Sequence, residues 1–145
     1  MKILKANILA ATAVVSMLGG GAYAAAEVVV IANSSAPVSS LSADEAKSIF
    51  LKKSVTFPDG SSVVAVDLPE DNAVRDEFYK KATNKDSNQV KSYWAKRVFT
   101  GKGTPNDTQS SEAAVKSGVA SGANHIGYVS ASAVDGSVKV LLKLP

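Results

Sequence analysis

The clearest hydrophobic pattern in the chain is an unbroken run of four β-forming residues, Val28 to Ile31, in the segment EVVVIANSS. A strand buried on both faces typically shows such a run without polar alternation, so a central or nearly central strand is predicted here. Three further strands are predicted at 62–67, 125–130 and 137–144.

Two helices are marked by their starting residues. Ser42 stands three residues before a glutamate, which is the spacing of a capping box, and apolar residues then recur at helical intervals, so a helix is predicted over 43–51. Ser110 or Ser111 can cap an alanine-rich helix that Gly122 ends.

The other two helices are indicated by apolar residues on one face. Val74, Phe78 and Ala82 are four residues apart and predict a helix over 72–82, with Arg75 on its outer face. A helix over 87–98 is predicted to present four apolar residues on one side, namely Val90, Tyr93, Trp94 and Val98.

The order of these elements predicts an α/β fold. Strands alternate with helices in the first half of the chain, so a right-handed βαβ unit and a largely parallel sheet are expected. Helices on both faces of this sheet would make one three-layer domain.

The first residues have the pattern of an export signal. Lys2 and Lys5 form a basic region, residues 8–18 form a largely apolar run, and the small-x-small sequence AYA follows. A run of eleven residues is shorter than the about 20 needed to span a bilayer, so cleavage is expected after Ala24, with Ala26 as the alternative.

Cleavage divides the chain into a signal peptide, 1–24, and one domain, 25–145, and it changes the charge. The chain has 16 basic and 13 acidic residues, and removing Lys2 and Lys5 leaves 14 and 13, a net charge of +1. No nucleic-acid partner is therefore indicated. The chain has no cysteine, which suits a periplasmic protein without disulfides.

The segment DLPEDNAVRDEF, which joins a strand to the helix over 72–82, is a turn of unusual charge. A helix start favours anions, yet Asp67, Glu70 and Asp71 make this one acidic. Either the acids belong to a ligand or cation site, or they complement the helix dipole, with Asp71 or Asn72 as the N-cap. The capping interpretation is favoured.

Basic residues are concentrated between Lys80 and Lys102, where seven basic residues accompany one acid, Asp86. The aromatic residues among them could meet anionic lipid, a polyanion or the acidic face of a partner. In the alternative, the lysines form the solvated face of a helix and the aromatic residues pack into the core.

Enzyme chemistry is not indicated. The chain has no cysteine nucleophile, and its single histidine, His125, opens a predicted strand without a metal-binding or triad pattern around it. TGKG at 100–103 lacks the other residues of a phosphate-binding P-loop. No catalytic residue, metal or cofactor is therefore predicted.

Four stretches, VVVIANSSAPVSSLSADEAKSIFL, FPDGSSVVAVDLPEDNAVRDEFY, SYWAKRVFTGKGTP and HIGYVSASAVDGSVKVL, together resemble small exported proteins classed with phosphate ABC-transporter substrate-binding proteins. The resemblance implies a single lobe of the type II periplasmic-binding-protein fold, with a mixed, mostly parallel sheet flanked by helices. Full-length members have two such lobes, which close on a phosphate ion held by helix N-termini, hydroxyl groups and an arginine. Their glycine- and serine-rich phosphate turn falls here on DLPEDNAV, which has no glycine and no hydroxyl group.

The resemblance and the positions at strand ends together suggest a ligand site. Phosphate or another oxyanion would be bound there on behalf of an ABC transporter, by residues that follow the first strand, begin the second helix or lie in the glycine-rich loop: Asn33, Ser34, Ser35, Asn72, Arg75, Thr100, Gly101 and Lys102. The alternative is an interaction or sensory module without a small ligand. Such a module would dock on a membrane transporter or sensor, or self-associate through the exposed face of the lobe.

The signal-peptide prediction can be tested directly. When the full chain is expressed in a bacterium, the protein in the periplasmic extract should begin near Ala25, because AYA has the small-x-small pattern that signal peptidase cleaves. Intact-mass spectrometry measures this, and a periplasmic protein that retains residues 1–24 would contradict it.

Overall fold

A computed structural model describes residues 27–145, so the predicted signal peptide lies outside the described residues. Within this range the chain forms one five-stranded sheet with four α-helices and a short 3₁₀ turn at Ala131–Ala133. In chain order the elements are β1 (Val28–Asn33), α1 (Ala43–Phe50), β2 (Val64–Asp67), α2 (Ala73–Thr83), α3 (Ser87–Phe99), β3 (Asp107–Thr108), α4 (Glu112–Ser121), β4 (His125–Ser130) and β5 (Val138–Leu144).

The strand order is β3-β2-β4-β1-β5, and the sheet is mixed. β1 is buried along its whole length and lies between β4 and β5, as the apolar run predicts. It runs antiparallel to both neighbours, however, and only β2 pairs in parallel, with β3 and β4. The prediction of a largely parallel sheet is therefore wrong, because the C-terminal strands, and not β2, pair with β1.

The βαβ crossovers lie later in the chain than expected. β2 connects to β3 through α2 and α3, and β3 connects to β4 through α4, so β2, β3 and β4 are parallel. β3 has only two residues, both exposed, and the sequence pattern does not indicate it.

Two adjacent residues of β4 show that the helices cover both faces of the sheet. Tyr128 stacks on Phe78 of α2, with ring centroids 4.0 Å apart. A side chain at the next position, Gly127, would instead meet Val115 of α4. Because successive residues of a strand point to opposite faces, α2 and α4 lie on opposite sides. The three-layer arrangement is confirmed.

Local capping signals place the helix starts as predicted. Ser42 and Glu45 form the reciprocal capping box of α1, and the Ser111 hydroxyl accepts a hydrogen bond from the backbone N–H of Ala114 in α4. Asn72, and not Asp71, is the N-cap of α2. These caps need only residues three positions apart, so the sequence is sufficient to find them.

Two side chains differ in burial from what helical spacing predicts. Arg75 is buried, with 7% of its surface exposed, because it turns inward to a carboxylate. Val98 is 53% exposed, although Val90 and Trp94 of the same helix are buried. The last turn of α3 therefore extends past the core.

None of the helices within residues 27–145 is long and apolar enough to cross a membrane.

Substitution of Gly127 tests the packing of α4 on the sheet. A Cβ atom there would lie 2.5 Å from Val115 Cγ1 and 3.3 Å from Val119 Cγ2, so Gly127→Ala should lower the free energy of unfolding by about 1–3 kcal/mol. Gly118→Ala on α4 is the matched control, because no atom lies within 4 Å of the added methyl group. It should raise stability by about 0.5–1 kcal/mol. Urea denaturation measures both, and similar effects of the two changes would contradict this packing.

Candidate ligand-binding cleft

The acidic turn after β2 begins a helix that satisfies its own N-terminal amides. The Asn72 side-chain oxygen accepts hydrogen bonds from the backbone N–H groups of Val74, at 2.9 Å, and Arg75, at 3.4 Å. Unpaired backbone amides at this position of a helix can bind an anion, but here they are already hydrogen-bonded. The N-terminus of α2 is therefore a capped helix start, the interpretation that the sequence favours.

Asp67, the last residue of β2, is a buried carboxylate that four groups surround. Its oxygens accept hydrogen bonds from the hydroxyl groups of Tyr79, at 2.5 Å, and Tyr128. The backbone N–H of Leu68 donates to it at 2.9 Å, and Arg75 Nε lies 3.4 Å away in an ion pair. Because Asp67 is only 3% exposed, these partners replace the water that would otherwise solvate its charge.

Two elements, α2 and β4, deliver the side-chain partners. Arg75 and Tyr79 are four residues apart, so they project from the same face of α2, and the guanidinium lies 5.1 Å from the centre of the Tyr79 ring. Tyr128 comes from β4, the strand beside β2. Its ring is held between the sheet and α2 by Phe78, which stacks on it.

The same surroundings suppress ionisation of the two tyrosines. Burial raises the pKa of the Tyr79 and Tyr128 hydroxyls well above the ordinary value, and the adjacent Asp67 charge raises both further. A phenolate at either position would be desolvated and would face a carboxylate. Both hydroxyls therefore act as permanent hydrogen-bond donors at neutral pH.

A cleft of about 380 Å³ opens over this cluster. It lies beyond the carboxyl ends of β2 and β3 and against one side of α3, which is where α/β sheets place ligands. Its lining residues come from the end of β2, the acidic turn, α2, α3, the segment before β3 and β3 itself. They are Asp67, Leu68, Pro69, Glu70, Arg75, Lys91, Trp94, Pro105, Asn106 and Thr108.

Two buried polar atoms in the walls of this cleft have no hydrogen-bond partner within the described residues. They are Trp94 Nε1, a donor, and Asn106 Oδ1, an acceptor. The Asn106 amide nitrogen donates to the Phe50 carbonyl at 2.7 Å, which orients the side chain and leaves its oxygen unpaired. Trp94 and Asn106 are each 5% exposed. Buried polar groups are normally paired, so these two atoms mark Trp94 and Asn106 as groups that a ligand could satisfy.

Three of the predicted site residues lie at the opposite edge of the sheet. Because β1 is antiparallel to β4, its carboxyl end lies beside the amino ends of β2 and β4. Asn33 there is buried and donates to the carbonyls of Val119 and Ala120, and its oxygen accepts from the Ser35 N–H. Asn33, Ser34 and Ser35 therefore cannot share one site with Arg75, as the parallel arrangement would allow.

Thr100, Gly101 and Lys102 form the C-terminal cap of α3 and do not line the cleft. The Thr100 hydroxyl donates to the Lys96 carbonyl at 2.7 Å, and Arg97 donates to the Lys102 carbonyl at 3.1 Å. Gly101 has φ +69°, a conformation that glycine adopts easily. Of the predicted site residues, only Asn72 and Arg75 lie at or beside the cleft.

Comparison with known proteins identifies the architecture. No protein-family model and no curated protein matches the sequence. Solved structures do resemble this chain, and three of them are as follows. A protein from Clostridium perfringens, assigned as a phosphate ABC transporter substrate-binding protein and solved with bound phosphate, has a TM-score of 0.64 and 22% identity. An ABC-type phosphate transport receptor from Vibrio cholerae has a TM-score of 0.63 and 17% identity. A protein from Planctomyces limnophilus described as a possible phosphate binding protein has a TM-score of 0.59 and 12% identity.

The chain has a periplasmic-binding-protein-like fold. The matches cover 80%, 80% and 81% of this chain but only 45%, 46% and 42% of those proteins. The chain thus spans less than half the length of the proteins it resembles. The resemblance seen in the sequence is confirmed for the fold.

The residues that sequence reasoning missed carry weak local signals. Trp94 is buried as its helical spacing predicts, but nothing in that spacing shows that its indole N–H is unpaired beside a cleft. Asn106 and Thr108 follow a glycine-rich loop that looks like an ordinary connection. The one signal in the sequence is Asp67, because an acid at the end of an apolar strand is buried and its carboxylate then needs hydrogen-bond or ion-pair partners.

The buried tyrosines generate a test at alkaline pH. A pKa that is raised in the folded state favours folding at pH values below the unfolded pKa of about 10, and that contribution is lost as pH rises beyond it. Tyr79 and Tyr128 should therefore ionise only as the protein unfolds. Absorbance of phenolate at alkaline pH, followed together with circular dichroism, measures this. Ionisation of all the tyrosines while the fold persists would contradict the buried cluster.

Proposed function

We propose that this chain is an exported, non-enzymatic solute-binding protein and that its ligand site is the cleft between α3 and the ends of β2 and β3. The observation that carries the proposal is the set of groups there. The residues that line the cleft include two cations, Arg75 and Lys91, together with Trp94 and Asn106, each of which has an unpaired buried polar atom. Cations and a free donor favour an anion.

Phosphate is the ligand that best fits this mixture of groups. Its oxygens can accept from Trp94 Nε1 and from the cations, and its protonated oxygen can donate to Asn106 Oδ1. Sulfate carries no proton at neutral pH, so it would leave the asparagine oxygen unpaired. Two of the three similar structures are described as phosphate transport proteins and the third as a possible phosphate binding protein, which supports phosphate as the ligand.

The charges around the cleft predict weak binding. Arg75 is already paired with Asp67, and Glu70 adds a negative charge to the rim. The amides at the start of α2 are occupied by Asn72. A dissociation constant near 1 mM, about −4 kcal/mol, is therefore expected for this chain alone.

An interaction module without a small ligand is the second candidate, and one observation favours it. Self-capping of α2 by Asn72 removes the usual anion-binding amides of such a turn. In this role the chain would dock on a membrane transporter or sensor. Absence of binding by every oxyanion in the experiment below would favour this candidate.

Trp94 reports on the cleft because it is the only tryptophan in the chain. Titration with phosphate should change its fluorescence with an apparent dissociation constant in the millimolar range, while sulfate at equal ionic strength should have little effect. Calorimetry provides an independent measurement.

Charge variants locate the site. Lys91→Gln should weaken phosphate binding by about fivefold and Glu70→Gln should strengthen it by about fivefold, because each changes one charge at the wall of the cleft. Asp71→Asn is the matched control, because Asp71 is an exposed acid in the same turn that does not line the cleft. Equal effects of the Glu70 and Asp71 variants would place binding elsewhere.

A further inference from the structure

The C-terminal end of α3 carries a projecting aromatic residue that no part of the cleft uses. Phe99 is 93% exposed and the preceding Val98 is 53% exposed. Val55, at 65%, is the third large hydrophobic side chain that is exposed within residues 27–145. It borders a depression shared with Thr104 and Pro105, in the loop that follows Phe99. We call the surface formed by Val55, Val98 and Phe99 the apolar tip.

Side-chain contacts hold the two segments of this tip together. Arg97 Nη2 donates to the Lys52 carbonyl at 3.2 Å and to the Lys102 carbonyl at 3.1 Å. Lys52 Nζ donates to the Pro105 carbonyl at 3.4 Å. The segment after α1 and the loop after α3 are therefore joined, and Phe99 projects from a supported surface.

Positive charge predominates around the tip. The two segments that build it, 47–58 and 87–106, contain seven lysine and arginine residues and no acid. Lys53, Lys96 and Lys102 are exposed and make no ion pair within the described residues. One acid, Asp107, borders the same depression as Val55. The acidic turn of α2 lies at the cleft, and Asp86 lies at the other end of α3. The charge of this tip complements an anionic surface.

We propose that the apolar tip docks on an anionic phospholipid bilayer, with Phe99 inserted among the headgroups and the lysines bound to lipid phosphates. A protein partner would need about 800 Å² on this side, far more than three apolar side chains supply. A single projecting ring with lysines around it suits a bilayer, which yields to a protrusion and presents dense negative charge. The long lysine side chains can reach the headgroups while the ring lies deeper.

Vesicle flotation tests this with the protein recovered after expression of the full chain, all variants being compared in the same processed form. Binding to vesicles of mixed phosphatidylglycerol and phosphatidylcholine should exceed binding to phosphatidylcholine alone by about tenfold or more, and high salt should reduce it. Phe99→Ser should lower binding to the anionic vesicles by about tenfold without changing thermal stability, because the ring is solvent-exposed in the free protein.

Charge-matched variants separate the tip from general electrostatic attraction. The double change Lys96→Gln with Lys102→Gln should lower binding by about tenfold. The control, Lys80→Gln with Lys143→Gln, removes the same charge from exposed lysines on α2 and β5 and should retain most of the binding. Equal losses in the two doubles would overturn the proposal.

A Phe99→Trp variant measures insertion itself. The fluorescence it adds to that of Trp94 should shift to shorter wavelength on anionic vesicles and be quenched by lipids with brominated chains. Failure of the wild type to bind anionic vesicles, or unchanged binding by Phe99→Ser, would refute the proposal. Self-association that depends on Phe99 in sedimentation experiments would refute it as well, and would assign the tip to a second copy of the chain.

Discussion

The buried carboxylate of Asp67 is the interaction on which the arrangement around the cleft depends. An ionised group at 3% exposure is strongly unfavourable unless other groups replace its water, and here two tyrosine hydroxyls, a backbone amide and Arg75 do so. These partners come from α2 and β4 as well as from β2 itself. Satisfying one charge thus positions a helix against two strands, and Asp67, Leu68 and Arg75 also line the cleft.

This solution also limits what the cleft can bind. Arg75 is the only cation buried in the described residues, and Asp67 compensates its charge. Asn72 occupies the amides that begin α2. The molecule therefore shares the fold of the three solved proteins, while the features that attract a dianion most strongly are already used internally. Among the described residues that line the cleft, the groups without an internal partner are Lys91, Trp94 Nε1 and Asn106 Oδ1.

The third helix connects the two surfaces for which roles are proposed. Its middle supplies Lys91 and Trp94 to the cleft, and its last turn carries Phe99 at the apolar tip. Tyr93, next to Trp94, anchors the helix by donating a hydrogen bond to the Leu51 carbonyl at 2.5 Å. Phe99 is five residues beyond Trp94 and eight beyond Lys91, a rise of roughly 8–12 Å along the helix.

The sequence by itself determined the helices, four of the five strands and the helix caps, because those features depend on residues a few positions apart. Only the tertiary structure decided the direction of β1, since its partners β4 and β5 lie about 100 residues later in the chain. That direction separates Asn33 from the cleft, although it ends a strand as Asp67 does. The burial of Arg75 was likewise decided by tertiary packing. Helical spacing places it on the outer face, but a carboxylate buried on β2 must be paired, and the free energy of leaving it unpaired exceeds that of burying the arginine.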